Sequence, residues 1–383
     1  MNWGLLLILA GGVLIAYANG SNDVSKGIAT LVGGGATSYK RAVLWGTVCT
    51  GLGGLAGVLL AQAMVETFGA GLLAEGTSPT LAATLAMMAG AGLWVAIATR
   101  TGLPVSTTHA IVGSIAGVGT LAYGTGGFNW TALGSQVALP LLLSPLVALL
   151  VTVAVLKTWN FVAARLPGGE SDCVCVDAEP AWTMAEAGPN VARVSLAAAA
   201  PRVIVASEKD CAVEAPRAAR VTLNHLHWLT SGAVSFSRGL NDAPKMVALV
   251  LAAGAVSAAD SAMDPWAFVL VTLGMVAGSW MAGRRVTRVL AEEVTPMDHR
   301  EAFVANLVTA AMVGPGASLG LPMSTTHVSS GTIMGLGSQG PGPRQKARLN
   351  WRTVRNMLLA WVVTLPLAAA LGMAVYGCLR LLS

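Results

Sequence analysis

Apolar runs close to the length that crosses roughly 30 Å of hydrocarbon alternate with short polar links along most of this chain. Five precede a polar stretch: residues 1–34, interrupted at Asn22-Asp23, then 42–65, 81–99, 104–123 and 132–156. Five follow it: residues 226–256, interrupted at Asn241-Asp242, then 266–283, 302–313, 322–336 and 356–379. The pattern predicts an all-α polytopic membrane protein with broken helices, residues 1–159 forming one transmembrane unit and residues 223–383 another. Between them, residues 160–222 mix acids (Glu170, Asp172, Asp177, Glu179) with bases (Arg193, Arg202, Lys209, Arg217) and several prolines. This stretch reads as a soluble polar loop or small regulatory insert, in which the apolar piece Arg202–Ala206 has the makings of a strand.

The two units repeat one another. Gly20-Ser21-Asn22-Asp23-Val24-Ser25-Lys26 matches Gly239-Leu240-Asn241-Asp242-Ala243-Pro244-Lys245. Gly102-Leu103-Pro104-Val105-Ser106-Thr107-Thr108-His109 matches Gly320-Leu321-Pro322-Met323-Ser324-Thr325-Thr326-His327. The displacements, from 20 to 239 and from 102 to 320, are 219 and 218 positions, which marks a duplicated unit.

Lys and Arg in short loops gather on the cytoplasmic side of a membrane. Lys40, Arg41, Arg100, Lys157, Arg165, Arg284, Arg285, Arg288, Arg344, Lys346, Arg348 and Arg352 all fall on one side if both termini lie outside. The opposing loops 66–80, 124–131 and 258–265 contain neither residue. An odd number of crossings per unit, joined by a cytoplasmic loop, inverts the second unit relative to the first. The parity holds if the segments flanking each Ser-Thr-Thr-His motif form re-entrant hairpins. Inverted repeats with interrupted helices are a transporter architecture, with the site where the repeats meet.

Composition agrees: 54% of the 383 residues are hydrophobic and 11% charged, against about a quarter charged in soluble domains. The net charge of +5 does not point to nucleic acid, because the basic residues sit where they orient the chain in a bilayer. The first segment has the small-residue pattern of a signal peptide at Ala16-Tyr17-Ala18 but no basic start. It is expected to stay in the mature chain.

Two motifs carry the chemistry. Asn22-Asp23 and Asn241-Asp242 put ionisable groups inside apolar segments, which costs a few kcal/mol and marks a functional place. Carboxylate, amide and freed carbonyl oxygens suit a hard cation or a proton. Lys26 and Lys245 stand three residues on, where each shares a helix face with its aspartate, so structural ion pairs are the competing reading. In Gly-Leu-Pro-x-Ser-Thr-Thr-His, Pro104 and Pro322 suit the first turn of a new helix. Ser106, Thr107, Thr108, Ser324, Thr325 and Thr326 would then surround a tetrahedral oxyanion with neutral donors. Bonding of these hydroxyls back to helix carbonyls is the competing reading. His109 and His327 read as packing residues, with a proton relay the alternative.

Paired Gly-x-Asn-Asp and Pro-x-Ser-Thr-Thr-His motifs around a polar loop resemble the inorganic phosphate transporter (PiT) family over nearly the whole chain. The resemblance implies a homodimeric inverted-repeat carrier that moves inorganic phosphate with sodium ions or protons across a bacterial-type plasma (inner) membrane. It implies no other cofactor and no enzymatic activity. The Ser-Thr-Thr residues would hold the anion with Asn22 and Asn241, and Asp23 and Asp242 with the same asparagines would bind the cation, sodium included. Lys26 departs from the family's usual Asn and puts an ammonium, which cannot ligate sodium, at one cation site. Sulfate stays open as an alternative substrate. An intramembrane hydrolase, with Ser106 or Ser324 as nucleophile and His109 or His327 as base, is the alternative from another class.

Overall fold

The computed structural model describes residues 3–69, 71–74, 77–165, 172–177, 181–185, 193–197, 202–207, 219–252, 265–339 and 349–382. Arg344, Lys346, Arg348 and nearly all of the 258–265 loop lie outside the described residues. The first unit contains α1 (Trp3–Gly33), α2 (Tyr39–Leu60), α3 (Gln62–Gly69), α4 (Leu81–Thr101), α5 (Thr107–Tyr123) and α6 (Leu139–Ala163). The second contains α7 (Leu223–Ala252), α8 (Pro265–Ala282), α9 (His299–Ser318), α10 (Thr325–Gly337) and α11 (Trp351–Leu382). Among the described residues, six helices are long and apolar enough to cross a bilayer: α1, α2, α4, the Trp130–Ala163 helix that includes α6, α8 and α11. At 13 residues α10 extends about 20 Å, short of the hydrocarbon thickness.

Two expectations about helix breaks are corrected. The segments expected to be interrupted at Asn22-Asp23 and Asn241-Asp242 are continuous helices, α1 and α7. Their polar side chains find buried partners in neighbouring elements, so no backbone need open to satisfy them. The real breaks lie between α4 and α5 and between α9 and α10. Here Gly102 and Gly320 adopt left-handed φ angles of 79° and 70°, which a side chain would strain. The amides of Leu103 and Gly102 then close on Ala98 and Thr99, and those of Leu321 and Gly320 on Gly316 and Ala317, the same Schellman stop in each unit. Nor do the prolines open the next helix. Pro104 and Pro322 sit in the extended link, and the new helices begin at Thr107 and Thr325, because Ser106 and Ser324 are the N-caps.

Packing repeats with the sequence. α1 lies on α8 as α7 lies on α2, and the α4–α5 hairpin leans on α11 as the α9–α10 hairpin leans on α6. Each unit's last helix thus covers the other unit's hairpin. The first pair of contacts approaches backbone to backbone: a Cβ at Gly20 would stand 2.1 Å from the Met275 carbonyl oxygen, and one at Gly239 2.2 Å from that of Thr50. Outward faces are apolar, with Leu142, Leu146 and Leu150 of α6 and Leu359 and Val362 of α11 exposed, as lipid contact requires. The inside is polar: Asn19, Asn22, Asp23, Lys26, Arg238, Asn241, Asp242 and Lys245 are buried.

Within 160–222 the expected loop contains strands. β1 (Cys173–Asp177), β4 (Arg202–Ala206) and β5 (Ala219–Thr222) form an antiparallel sheet ordered β4-β1-β5, and β2 (Ala181–Ala185) pairs with β3 (Arg193–Ala197). The strand at Arg202–Ala206 meets the expectation set by its short apolar run; the other strands were not expected. The amide of Leu223 at the start of α7 donates to Asp172 just before β1, tying the sheet to the second unit.

Candidate functional site

The breaks in the two hairpins are packed against the middles of α1 and α7, and the asparagines of those helices hold them there. Asn22 Nδ2 donates to the Leu103 carbonyl at 3.0 Å and to Thr99 Oγ1 at 3.1 Å, while its Oδ1 accepts from the Val105 amide at 3.3 Å. Asn241 Nδ2 donates to the Met323 carbonyl at 2.9 Å, to Asp242 Oδ1 at 2.8 Å and to Thr325 Oγ1 at 3.5 Å. Each amide therefore positions the turn that presents a Ser-Thr-Thr helix end.

All six Ser-Thr-Thr residues are buried. Ser106 Oγ and Ser324 Oγ accept from the amides of His109 and His327, each at 3.2 Å, which leaves their own hydroxyl protons to donate. Thr107 Oγ1 donates to Asp23 Oδ2 at 3.4 Å. Thr108 Oγ1 accepts from Lys245 at 2.8 Å, and Thr326 Oγ1 donates to the Val105 carbonyl at 2.7 Å. The last two bonds cross between units, so the two helix ends belong to one network. Their N-termini add free amides and partial positive charge. Such an arrangement is chemically suited to an anion.

The aspartates meet through a residue the motif reading passed over. Asn19 Nδ2 donates to Asp23 Oδ2 at 3.2 Å and to Asp242 Oδ2 at 3.1 Å. Its counterpart in the second unit, 219 positions on, is Arg238, fully buried. Arg238 Nη2 donates to Thr50 Oγ1 at 2.6 Å and to Ser279 Oγ at 3.1 Å. Both residues stand immediately before the glycine at which each motif was taken to start. Polar residues at equivalent places in two apolar segments were the available signal.

Both lysines pair with their aspartates as the competing reading anticipated: Lys26 with Asp23 at 2.7 Å and Lys245 with Asp242 at 3.3 Å. The rings of His109 and His327 lie tilted by 44° with centroids 4.6 Å apart, and the His327 centroid is 4.0 Å from that of Trp361. His327 Nδ1 faces the Leu141 carbonyl oxygen at 3.2 Å. Each serine oxygen is engaged by a histidine backbone amide and not by its ring. A nucleophile and base arrangement is not what this geometry provides.

A multi-pass helical membrane protein, with a buried polar site where two repeated units meet, belongs to the transporter class by fold and site. Comparison with known proteins makes the class specific. The model of the phosphate transporter family matches residues 19–372, and the chain belongs to that family, whose members are transporters and not enzymes. It is 28% identical over 408 residues to a protein of Pyrococcus abyssi provisionally called a phosphate permease, with 98% of each chain covered. It is 26% identical over 377 residues to a Mycobacterium bovis protein described as a probable low-affinity inorganic phosphate transporter, covering 97% of this chain and 77% of the relative. The solved structure of a sodium-dependent phosphate transporter shares the fold, with a TM-score of 0.76 and 23% identity, over 99% of this chain and 100% of that one.

Proposed function

We propose that this protein takes up inorganic phosphate together with a cation by alternating access, the two inverted units rocking about the buried site. On this reading both termini face outward, the 160–222 segment is cytoplasmic, the membrane is a bacterial-type plasma (inner) membrane and the carrier is a homodimer. The observation that carries it is the meeting of two Ser-Thr-Thr helix ends, through Thr108 with Lys245 and Thr326 with Val105. Hydroxyls and amides hold an oxyanion without the grip of an arginine cluster, so release is possible. The names of the relatives from Pyrococcus abyssi and Mycobacterium bovis support the same substrate.

Acceptors in the site favour phosphate over sulfate. Asn19 Oδ1 and Asn241 Oδ1 are buried and without partners among the described residues, and two carboxylates stand beside them. Phosphate near neutral pH carries hydroxyl protons that can satisfy such acceptors, whereas sulfate brings only bare oxygens and would leave them unpaired. An unsatisfied buried acceptor costs about 1–3 kcal/mol. In proteoliposomes, uptake of radiolabelled phosphate is expected to be inhibited by unlabelled phosphate and hardly by sulfate. Equal inhibition by both would sink the phosphate assignment.

A further inference from the structure

We propose that Lys26 and Lys245 are resident cations that fill the two oxygen-lined positions where a coupling sodium would bind, so that the proton and not sodium drives uptake. The proposal rests on the reading of this chain as a phosphate carrier. An ammonium has three N–H donors and no acceptor. Lys26 Nζ spends them on Asp23 Oδ1 at 2.7 Å, Asn22 Oδ1 at 2.6 Å and the Asn22 carbonyl at 2.9 Å. Carboxylate, amide and carbonyl oxygen are the ligand types a hard cation seeks, and here a side chain of the same helix has taken them. Lys245 Nζ does likewise with Thr108 Oγ1 at 2.8 Å, Met323 carbonyl at 3.2 Å and Asp242 Oδ1 at 3.3 Å. Both side chains are almost wholly buried, at 2% and 1% exposure. A sodium ion in either oxygen set would sit against an ammonium with little water to screen the repulsion.

The buried charges point the same way. Arg238 is a third cation, at 0% exposure and one helix turn before Asp242, and its Nε and Nη1 have no hydrogen-bond partner among the described residues. Three cations face two carboxylates in the middle of the bundle, which leaves one positive charge for the substrate to neutralise. A monovalent phosphate anion completes that balance. A sodium ion needs a cage of oxygen ligands, and the oxygens of both candidate cages are already taken by the lysine ammonium groups. Uptake of a lone monoanion into a negative interior runs uphill, so a further cation must accompany it; a proton adds the same charge as a sodium ion but needs only one oxygen, on a site carboxylate or on the phosphate, and no cage.

The experiment uses the full-length protein in proteoliposomes, with radiolabelled phosphate and choline in place of sodium. Uptake is expected to change less than about twofold on that replacement and to rise about tenfold with an inward proton gradient. Sodium stimulation of about tenfold, or indifference to both ions, overturns the proposal. Absence of phosphate flux under every condition overturns the phosphate reading instead, and a second measurement then decides about the lysines. Melting of the purified protein is followed in sodium, potassium and choline chloride. The wild type is expected to show no sodium-specific stabilisation, whereas Lys26→Asn, which restores an oxygen ligand, is expected to acquire it. Sodium-specific stabilisation of the wild type overturns the proposal whatever the flux.

Discussion

Asn19 is the residue whose removal tests the site most sharply, because it joins the two halves at their aspartates. Its amide nitrogen lies 3.2 Å from Asp23 Oδ2 and 3.1 Å from Asp242 Oδ2, so these two oxygens can be no farther apart than the two bonds laid end to end. At about 6 Å and an effective dielectric of about 20, the repulsion of two unit charges is about 3 kcal/mol. The amide offsets it with two hydrogen bonds to charged acceptors, each contributing about 1.5–3 kcal/mol. Asn19→Leu keeps a branched side chain of four heavy atoms and removes both bonds. Losing about 3 kcal/mol of site organisation corresponds to about a hundredfold fall in uptake efficiency. Initial rates of phosphate uptake in proteoliposomes measure it, and a monodisperse elution profile with near-native melting controls for misfolding. A folded Asn19→Leu protein with uptake within about threefold of wild type would refute the argument that this bridge organises the site.

Arg238→Gln keeps a donor for Thr50 and Ser279 but removes the uncompensated charge; the KM for phosphate is expected to rise about tenfold, and an unchanged KM would detach Arg238 from substrate binding. Gly239→Ala drives a methyl group into the Thr50 carbonyl oxygen and is expected to destabilise the fold by about 1–3 kcal/mol, read as a lower melting temperature. Gly126→Ala, where a Cβ meets nothing within 4 Å, should melt as wild type does; equal melting of both variants would contradict the close α7–α2 approach.

How far the sequence reached depended on whether a feature was local. Gly-Leu-Pro-x-Ser-Thr-Thr-His spells a left-handed stop, a helix-refusing proline and a serine cap in order. Its turn was therefore legible, although Pro104 and Pro322 lie three residues before the helices they were expected to open. Asn22-Asp23 was recognisable as chemistry but misread as a break, because the partners that keep α1 intact, Thr99 and Leu103, lie some eighty residues away. Distance also hid Asn19, whose second carboxylate lies 223 positions away in the other repeat. The exchange of α6 and α11 between units rests on packing alone. The ion pairs at i and i+3 were legible because they need nothing outside one helix turn.

The central claim is that phosphate passes through the place where the two Ser-Thr-Thr helix ends meet. Counterflow tests it without assuming any coupling ion: proteoliposomes loaded with unlabelled phosphate are diluted into a trace of labelled phosphate, and internal label is followed with time. The wild type is predicted to show a transient overshoot of label, and the Thr108→Val, Thr326→Val double variant, isosteric but without either hydroxyl, to lose it. No overshoot in the wild type, or an undiminished one in the double variant, would contradict the account.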